Sequence, residues 1–417
     1  MSDAVAKAGG RPYVGRAGEV MKAYAVAAVA LLIASPAFAK TYKVKPGPQA
    51  QAEFAGAFAA LKAGDRIALE KGRYELVAGL SATVNKFSLR GEGPDKTVLS
   101  FTGQTAPGPC LSLSGDAIEL RGFAVENCKG DAIRTSHASM ASLRELAAAG
   151  SLSGFAVEDT QNVLIDNIVA RGAADSGLRL SQAQNVVVQN STFAQNTIGA
   201  AIENSAGVDF TKNTVTKNAL GVAAYDLPGK APGQGLRIVK NQISGNDAAS
   251  RGPAGTFAAS APVGTGIVLT ATRNAAVLDN DIGDNGSVNV FLMAWRGPAS
   301  DAKFSALPRN IIISGNRFGQ AGLAPGGDLK ALAARGVKLP DILWDGSDTY
   351  FAGNAPRQEP VLLAISNNKG LTPAGPSFLN LGLVTAGGDY EDAQPSATPP
   401  PLSNVAEPPP VKLPGGL

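Results

Sequence analysis

The chain has very little from which to build a metal centre or a catalytic dyad: its 417 residues include only two cysteines and one histidine. A structural zinc site draws on four Cys or His ligands held close together, so zinc is not expected. Charge is sparse as well, at 17% of residues with a net of +3, and no block of Lys or Arg stands out. That excludes the electrostatic footprint of a nucleic-acid binder. Aromatic residues make up only 6% of the chain, too few to dominate a large globular core. What the chain has in abundance is glycine, 49 residues, together with asparagine at recurring positions. Both suit tight polar turns joining short buried strands.

The one long apolar run lies near the start. From Met21-Lys22, the stretch AYAVAAVALLIASPAFA has a charged beginning, a core short for a bilayer span, and a small-residue site at Ala37-x-Ala39. Residues 1–39 therefore read as an N-terminal extension plus a secretory signal, with translation starting at Met21 and cleavage after Ala39. The expectation is an exported protein, periplasmic or extracellular, with no membrane span once the signal is removed. In that oxidising setting Cys110 and Cys128 are either a disulfide or two buried thiols.

The body of the chain repeats. VVVQNSTFAQNTIGAAIEN from Val186 lies over VDFTKNTVTKNALGVAAYD from Val208, so that Val188 falls on Phe210, Phe193 on Val215, Asn196 on Asn218 and Gly199 on Gly221. A short period with fixed apolar, Asn and Gly positions predicts a stacked solenoid. Coils open at Ile118, Val163, Val186, Val208 and Leu236, with matches from Val277 and Ile313 and a partial coil at Ala364, interrupted by loops at 248–262 and 294–308. Ahead of them Phe54, Phe58 and Leu61 share one face of a predicted capping helix. Asn167, Asn190, Asn213, Asn241 and Asn280 are expected at turns with structural roles. Residues 138–152, with Met140, Leu143 and Leu146 three apart, predict a helical turn, and 319–363 a lateral loop or part of a C-terminal cap. The domain assignment is thus one all-β, single-stranded right-handed parallel β-helix over 40–385, followed by a Pro-rich disordered tail, 386–417.

The GDRIALEKGRY opening, the LRGEGPDKTVL turn and the Asn/Gly coils resemble the right-handed parallel β-helix repeat family of carbohydrate-binding and sugar-hydrolase type, including its exported bacterial members. The resemblance covers about residues 41–370 and rests on positions that build the coil. It implies a polysaccharide or other glycan as partner. The sets carried by two of its catalytic branches are missing: there is no Asp-Asp pair or Gly-His-Gly of a polygalacturonase-type hydrolase, and no Asp-Pro-His-Asp of an alginate epimerase, whereas the clustered acids and Arg base of pectate lyase-like members are too loose a pattern to exclude.

The repeat register identifies which side chains point outward. Leu178, Ala200, Val222 and Ile267 point inward, as do Leu180, Ile202, Ala224 and Leu269. The next position holds Ser136, Glu158, Ser181, Glu203, Tyr225 and Thr270 in successive coils, the one after holds His137, Asp159, Gln182, Asn204 and Asp226, and Arg134 and Arg179 stand before. Glu158 and Glu203 should lie roughly 9–10 Å apart, two strand spacings. Three readings follow. The first is a non-catalytic monomer that binds an extended saccharide through Glu158, Asp159, Ser181, Glu203, Tyr225 and Asp226. The second is a polyuronate lyase or C5-epimerase using Arg134, His137, Arg179 and Tyr225, with calcium at Glu158, Asp159 and Glu203. The third is an envelope or adhesion scaffold.

Overall fold

The computed structural model describes residues 39–415, apart from 299–300, 302 and 353–354. The signal segment up to Phe38 lies outside these residues. Among them no helix is long and apolar enough to cross a membrane.

The repeating coil is a parallel β-helix. In the coil that begins at Gln184, strands Gln184–Gln189 and Thr192–Ala194 join a 20-stranded major sheet and Ile198–Glu203 joins an 11-stranded minor sheet. The expected starts Ile118, Val163, Val186, Val208 and Leu236 fall in one row of the major sheet, in which Ile118, Ala141, Val163, Val186, Val208, Leu236, Ala275, Ile311 and Leu363 pair in succession, while Val277 and Ile313 stand two residues further on, in the row of Ile238. Their side chains are at most 3% exposed, so each coil buries its apolar row on the coils before and after it.

Asparagine and glycine hold the turns together. Asn213, Asn241, Asn280, Asn316 and Asn368 form one ladder, in which each Oδ1 accepts the backbone N–H and the Nδ2–H of the Asn in the preceding coil. Asn196, Asn218, Asn246 and Asn285 form a second. The glycine position is a consequence. A Cβ on Gly199 would stand 2.6 Å from the Gly221 carbonyl and 3.0 Å from the Asn218 amide. The expected set of five asparagines divides in two, because Asn167 and Asn190 come one residue earlier in the coil than the ladder. They are exposed and left-handed, at φ 54° and 52°.

Helix α1, Ala50–Ala60, covers the N-terminal end as predicted. Phe54 packs on Tyr74 and Phe58 on Phe87, shielding apolar surface at the first coil. Cys110 and Cys128 are joined as a disulfide across the neighbouring turns.

Two expectations need correction. Residues 138–152 are not helical: Ala141–Ala149 is a strand paired with Ile118–Glu126 on one side and with the next coil on the other. Glu145 is left-handed at φ 52° and resets the alternation between buried Leu143 and buried Leu146, which produces a spacing of three without a helix. The Pro-rich tail adds no core strand, as its composition requires, yet it is not free: a short 3-10 helix, Tyr390–Asp392, buries Tyr390 with Ala393, and beyond it the chain is extended. Ser403 N–H donates to the Leu363 carbonyl, Glu407 pairs with Arg237 at 3.1 Å, and Val411 N–H donates to Asp209. Segment 319–363 contributes helix α2, Gly327–Ala334, a minor-sheet strand, Ile342–Trp344, and the hairpin Thr349–Ala352 with Ala355–Gln358.

Candidate functional site: an outward strip and an aromatic cavity

The outward row of the minor sheet is aligned as the repeat predicts. Ser136, Glu158, Ser181, Glu203, Tyr225, Thr270 and Met293 pair in succession, which places Glu158 and Glu203 two rungs apart, ~9–10 Å. The row beside it changes character along the axis. It reads Arg134, Ala156, Arg179 and then Ala201, Ala223, Val268, Phe291, and from Ala201 onward it is covered by a second apolar cluster built from loop 248–263, helix α2 and the chain around Tyr390.

At the polar end the charges are already paired. Arg134 donates to the fully buried Asp131 at 2.7 and 3.0 Å, and Arg179 donates to Glu158 at 2.6 Å with Asp131 at 3.6 Å. Burial, acting before any partner, raises the Asp175 carboxyl above the ordinary Asp range. One rung on, Glu203 accepts from Ser181 Oγ at 3.0 Å and from Lys230, and Tyr225 OH donates to it at 3.4 Å.

Two loops wall this strip. Loop 226–233 is tied down by Asn204, whose Nδ2–H donates to the Leu227 and Ala231 carbonyls. On the other edge Arg251 donates to the Gln195 carbonyl at 2.7 Å, and its backbone N–H donates to Thr197. At Tyr225 the strip ends against Phe257, stacked on the phenol ring at 4.2 Å.

Beyond Phe257 the same sheet floors a cavity of about 550 Å³. Thr270, Phe291 and Met293 form the floor, and Phe257, Trp295 and Tyr390 the walls. The Phe257 and Trp295 rings are near parallel, 17° apart, with centroids 6.4 Å apart. That is a little under two van der Waals contacts of ~3.5 Å each. The indole lies close over Gly297, where a Cβ would come within 2.7 Å of it. Arg296 lies over the Tyr390 ring at 4.6 Å and pairs with Asp328 at 3.3 Å. Thr270 Oγ1 and Trp295 Nε1, both shielded, have no hydrogen-bond partner.

The residues expected to act together are therefore only partly assembled. Glu158, Ser181, Glu203 and Tyr225 are neighbours. Asp159 and Asp226 are not in the row: they occupy the turn that follows it, Asp159 exposed beside His137 at 3.7 Å and Asp226 buried on the Gly233 N–H. The catalytic set does not converge, since Arg134 and Arg179 lie on Asp131 and Glu158, Tyr225 under Phe257, and His137 is 73% exposed at its turn. Burial, the largest influence, pushes the Tyr225 phenol well above the ordinary tyrosine range. The calcium set does not fit either. Glu158 is spent on a guanidinium and Glu203 on an ammonium, and among the described residues no group of three or more His, Cys, Asp or Glu could hold a metal.

Sequence reasoning missed Asp131 and Asp175, which lie just ahead of the minor-sheet strands at different offsets: Asp131 stands where the next coils carry Ser153 and Ser176, and Asp175 one residue earlier, so the alignment holds no common acidic position. It also missed Phe257, Trp295, Arg296, Asp328 and Tyr390. These lie in segments that interrupt the repeat and carry no period.

Residues 97–231 match the family described as right handed beta helix region. The chain carries a right-handed β-helix region. No curated protein matches the sequence. Among solved structures, the β-helix resembles DFA-IIIase from Arthrobacter chlorophenolicus A6 in complex with DFA-III, at 11% identity over 84% of this chain and 87% of that one, with a TM-score of 0.50. It also resembles the Azotobacter vinelandii mannuronan C-5 epimerase AlgE4 A-module, at 12% identity over 81% and 95% with a TM-score of 0.47, and pectate lyase Pel9A, at 14% over 81% and 79% with a TM-score of 0.44. At such identities the likeness is one of fold alone.

Proposed function

We propose that this β-helix is an exported saccharide-binding protein that holds a sugar ring in the Phe257/Trp295/Tyr390 cavity, because along the strip itself Ser181, Glu203 and Tyr225 are already buried. The observation that carries the reading is the cavity itself. Aromatic walls suit the C–H face of a pyranose lying against them, and the lining also carries Arg296 and Asp328, whose polar groups can meet its hydroxyls. Structures of similar fold act on or bind saccharides, in keeping with this class of ligand. The Cys110–Cys128 disulfide supports export.

Binding without cleavage is favoured over lyase or epimerase chemistry. Those reactions need a base beside a neutralised uronate carboxylate, and the arginines that would neutralise it are already occupied by Asp131 and Glu158. The chain has only two tryptophans, so intrinsic fluorescence tests the reading directly. Titration with a panel of neutral and acidic oligosaccharides should shift Trp295 emission for at least one of them. The shift should vanish in Trp295→Phe, and affinity should fall at least about tenfold in Phe257→Ala, the loss of one stacking face. Release of unsaturated uronate would establish the lyase reading instead. Silence across the panel, with no retention on a glycan array, would leave a solvated scaffold.

A further inference from the structure

Stacking gathers charges that are scattered in the sequence. On the major sheet Lys43, Ala68, Arg90, Arg121, Arg144 and Asp166 occupy one outward position in successive strands. Arg66, Ser88, Glu119 and Ser142 occupy the adjacent one. Three arginines thus stand on consecutive rungs, ~4.8 Å apart. Like charges in register repel, and the coil does not require them: the same position holds Ala68 before them and Gln189 after Asp166.

Carboxylates offset only part of this charge. Arg90 pairs with Glu119 at 2.5 and 2.7 Å and Arg121 with Glu145 at 2.8 Å, all of them at least a third exposed. Lys43, Arg66, Lys86 and Arg144 enter no ion pair among the described residues. A shallow hollow of about 410 Å³ opens between Arg66, Lys86, Arg90 and Arg144, with Glu119 and Ser142 on its floor.

We infer that this arginine ladder is a second binding site, on a different sheet from the cavity, for an extended polysaccharide bearing carboxylates. A planar guanidinium takes a carboxylate in two parallel hydrogen bonds. A straight, flat row of cations at a fixed spacing matches a linear polymer with regularly placed acids better than it matches a rounded protein surface. Single-stranded nucleic acid is disfavoured because the row has no aromatic platforms interleaved with its cations. A lipid surface is disfavoured because no large exposed apolar side chain lies on these strands among the described residues. The inference does not depend on what occupies the cavity.

Affinity electrophoresis of the intact protein in gels containing polygalacturonate, dextran or single-stranded DNA, at low and at raised ionic strength, tests it. The expected result is retardation by polygalacturonate that weakens as salt is added, no comparable retardation by dextran or DNA, and at least about a tenfold loss of affinity in Arg66→Ala/Arg144→Ala. The same retardation should persist in Trp295→Phe, which separates this site from the cavity. Neither arginine enters an ion pair, and Arg66 makes a single side-chain hydrogen bond, from Nε–H to Ser88 Oγ at 3.2 Å, so the double variant should melt close to the native temperature. If it melts early, Lys86→Ala/Arg66→Ala carries the same test. Equal retardation of the double variant, no retardation at low salt, or equal retardation by DNA would each overturn the inference.

Discussion

Two aspartates lie where the minor-sheet strands end, and both are buried. Asp345 accepts the Ala294 N–H at 2.7 Å and the Ser347 N–H at 3.0 Å, and Asp226 accepts the Gly233 N–H. Desolvation outweighs these bonds and raises both carboxyls to about 6, against ~3.9 in an unfolded chain. The folded state therefore binds protons more tightly. The resulting stabilisation is complete below about pH 4 and is lost as pH rises through about 6, on the order of 3 kcal/mol for each group. Thermal melts between pH 4 and 8 should show the native protein losing stability across that window. Asp345→Asn, which keeps an acceptor but cannot ionise, should gain on the native protein at neutral pH and lose the advantage in acid. Parallel pH profiles for the two would rule out Asp345 as a source of the effect. Charge at the strip follows a different logic, because its arginines and acids face one another across rungs. Its residues were visible in the repeat, but their partners Asp131 and Lys230 were not, since pairing depends on turns and loops that the period does not describe.

The coil is the unit that the sequence describes best. Apolar positions at the strand starts and the Gly–Asn spacing are legible because each coil repeats the same burial problem. The reading failed where a single residue shifted phase: a left-handed Glu145 made a strand look helical, and Asn190 was set beside Asn213 although the ladder begins one residue later. That distinction has a measurable consequence. Asn241 donates to the Phe210 carbonyl and to Asn280 Oδ1, each at 2.9 Å, and accepts from the Asn213 backbone and amide. Asn241→Ala would leave several buried groups unpaired and should cost about 2–4 kcal/mol by chemical denaturation. Asn190 is exposed and its amide donates only to Asp166, at 2.8 Å. Asn190→Gly keeps the left-handed turn and should change stability by less than about 1 kcal/mol. Similar losses at the two sites would mean that the ladder does not bear the turn.

At the scale of the whole molecule, a solenoid must finish its ends and hide whatever apolar strip its sheets leave outside. Helix α1 does this at the N-terminus. Toward the other end the outward row of the major sheet becomes Arg237, Ala276, Ile312 and Ala364, and the tail runs past it from Leu363 back to Asp209. Its prolines suit this course, because an extended segment without N–H groups can lie on a sheet face without leaving donors unpaired. The anchors are few: a backbone bond at Ser403, the Glu407–Arg237 pair and the Val411 N–H on Asp209. Each is modest in water, and an exposed ion pair contributes about 1 kcal/mol at most. The tail should therefore be held but separable. Ending the chain after Pro400 leaves Tyr390 and the cavity intact, so ligand-dependent Trp295 emission should be retained. Uncovering Ile312 and Ala364 should increase dye binding to apolar surface and promote self-association in light scattering. Glu407→Lys, which sets like charges against each other at Arg237, should reproduce part of that change and speed proteolysis within residues 401–415. If the intact tail is cleaved as fast as the same sequence in a free peptide, it does not lie on the sheet, and the major-sheet face is open in solution.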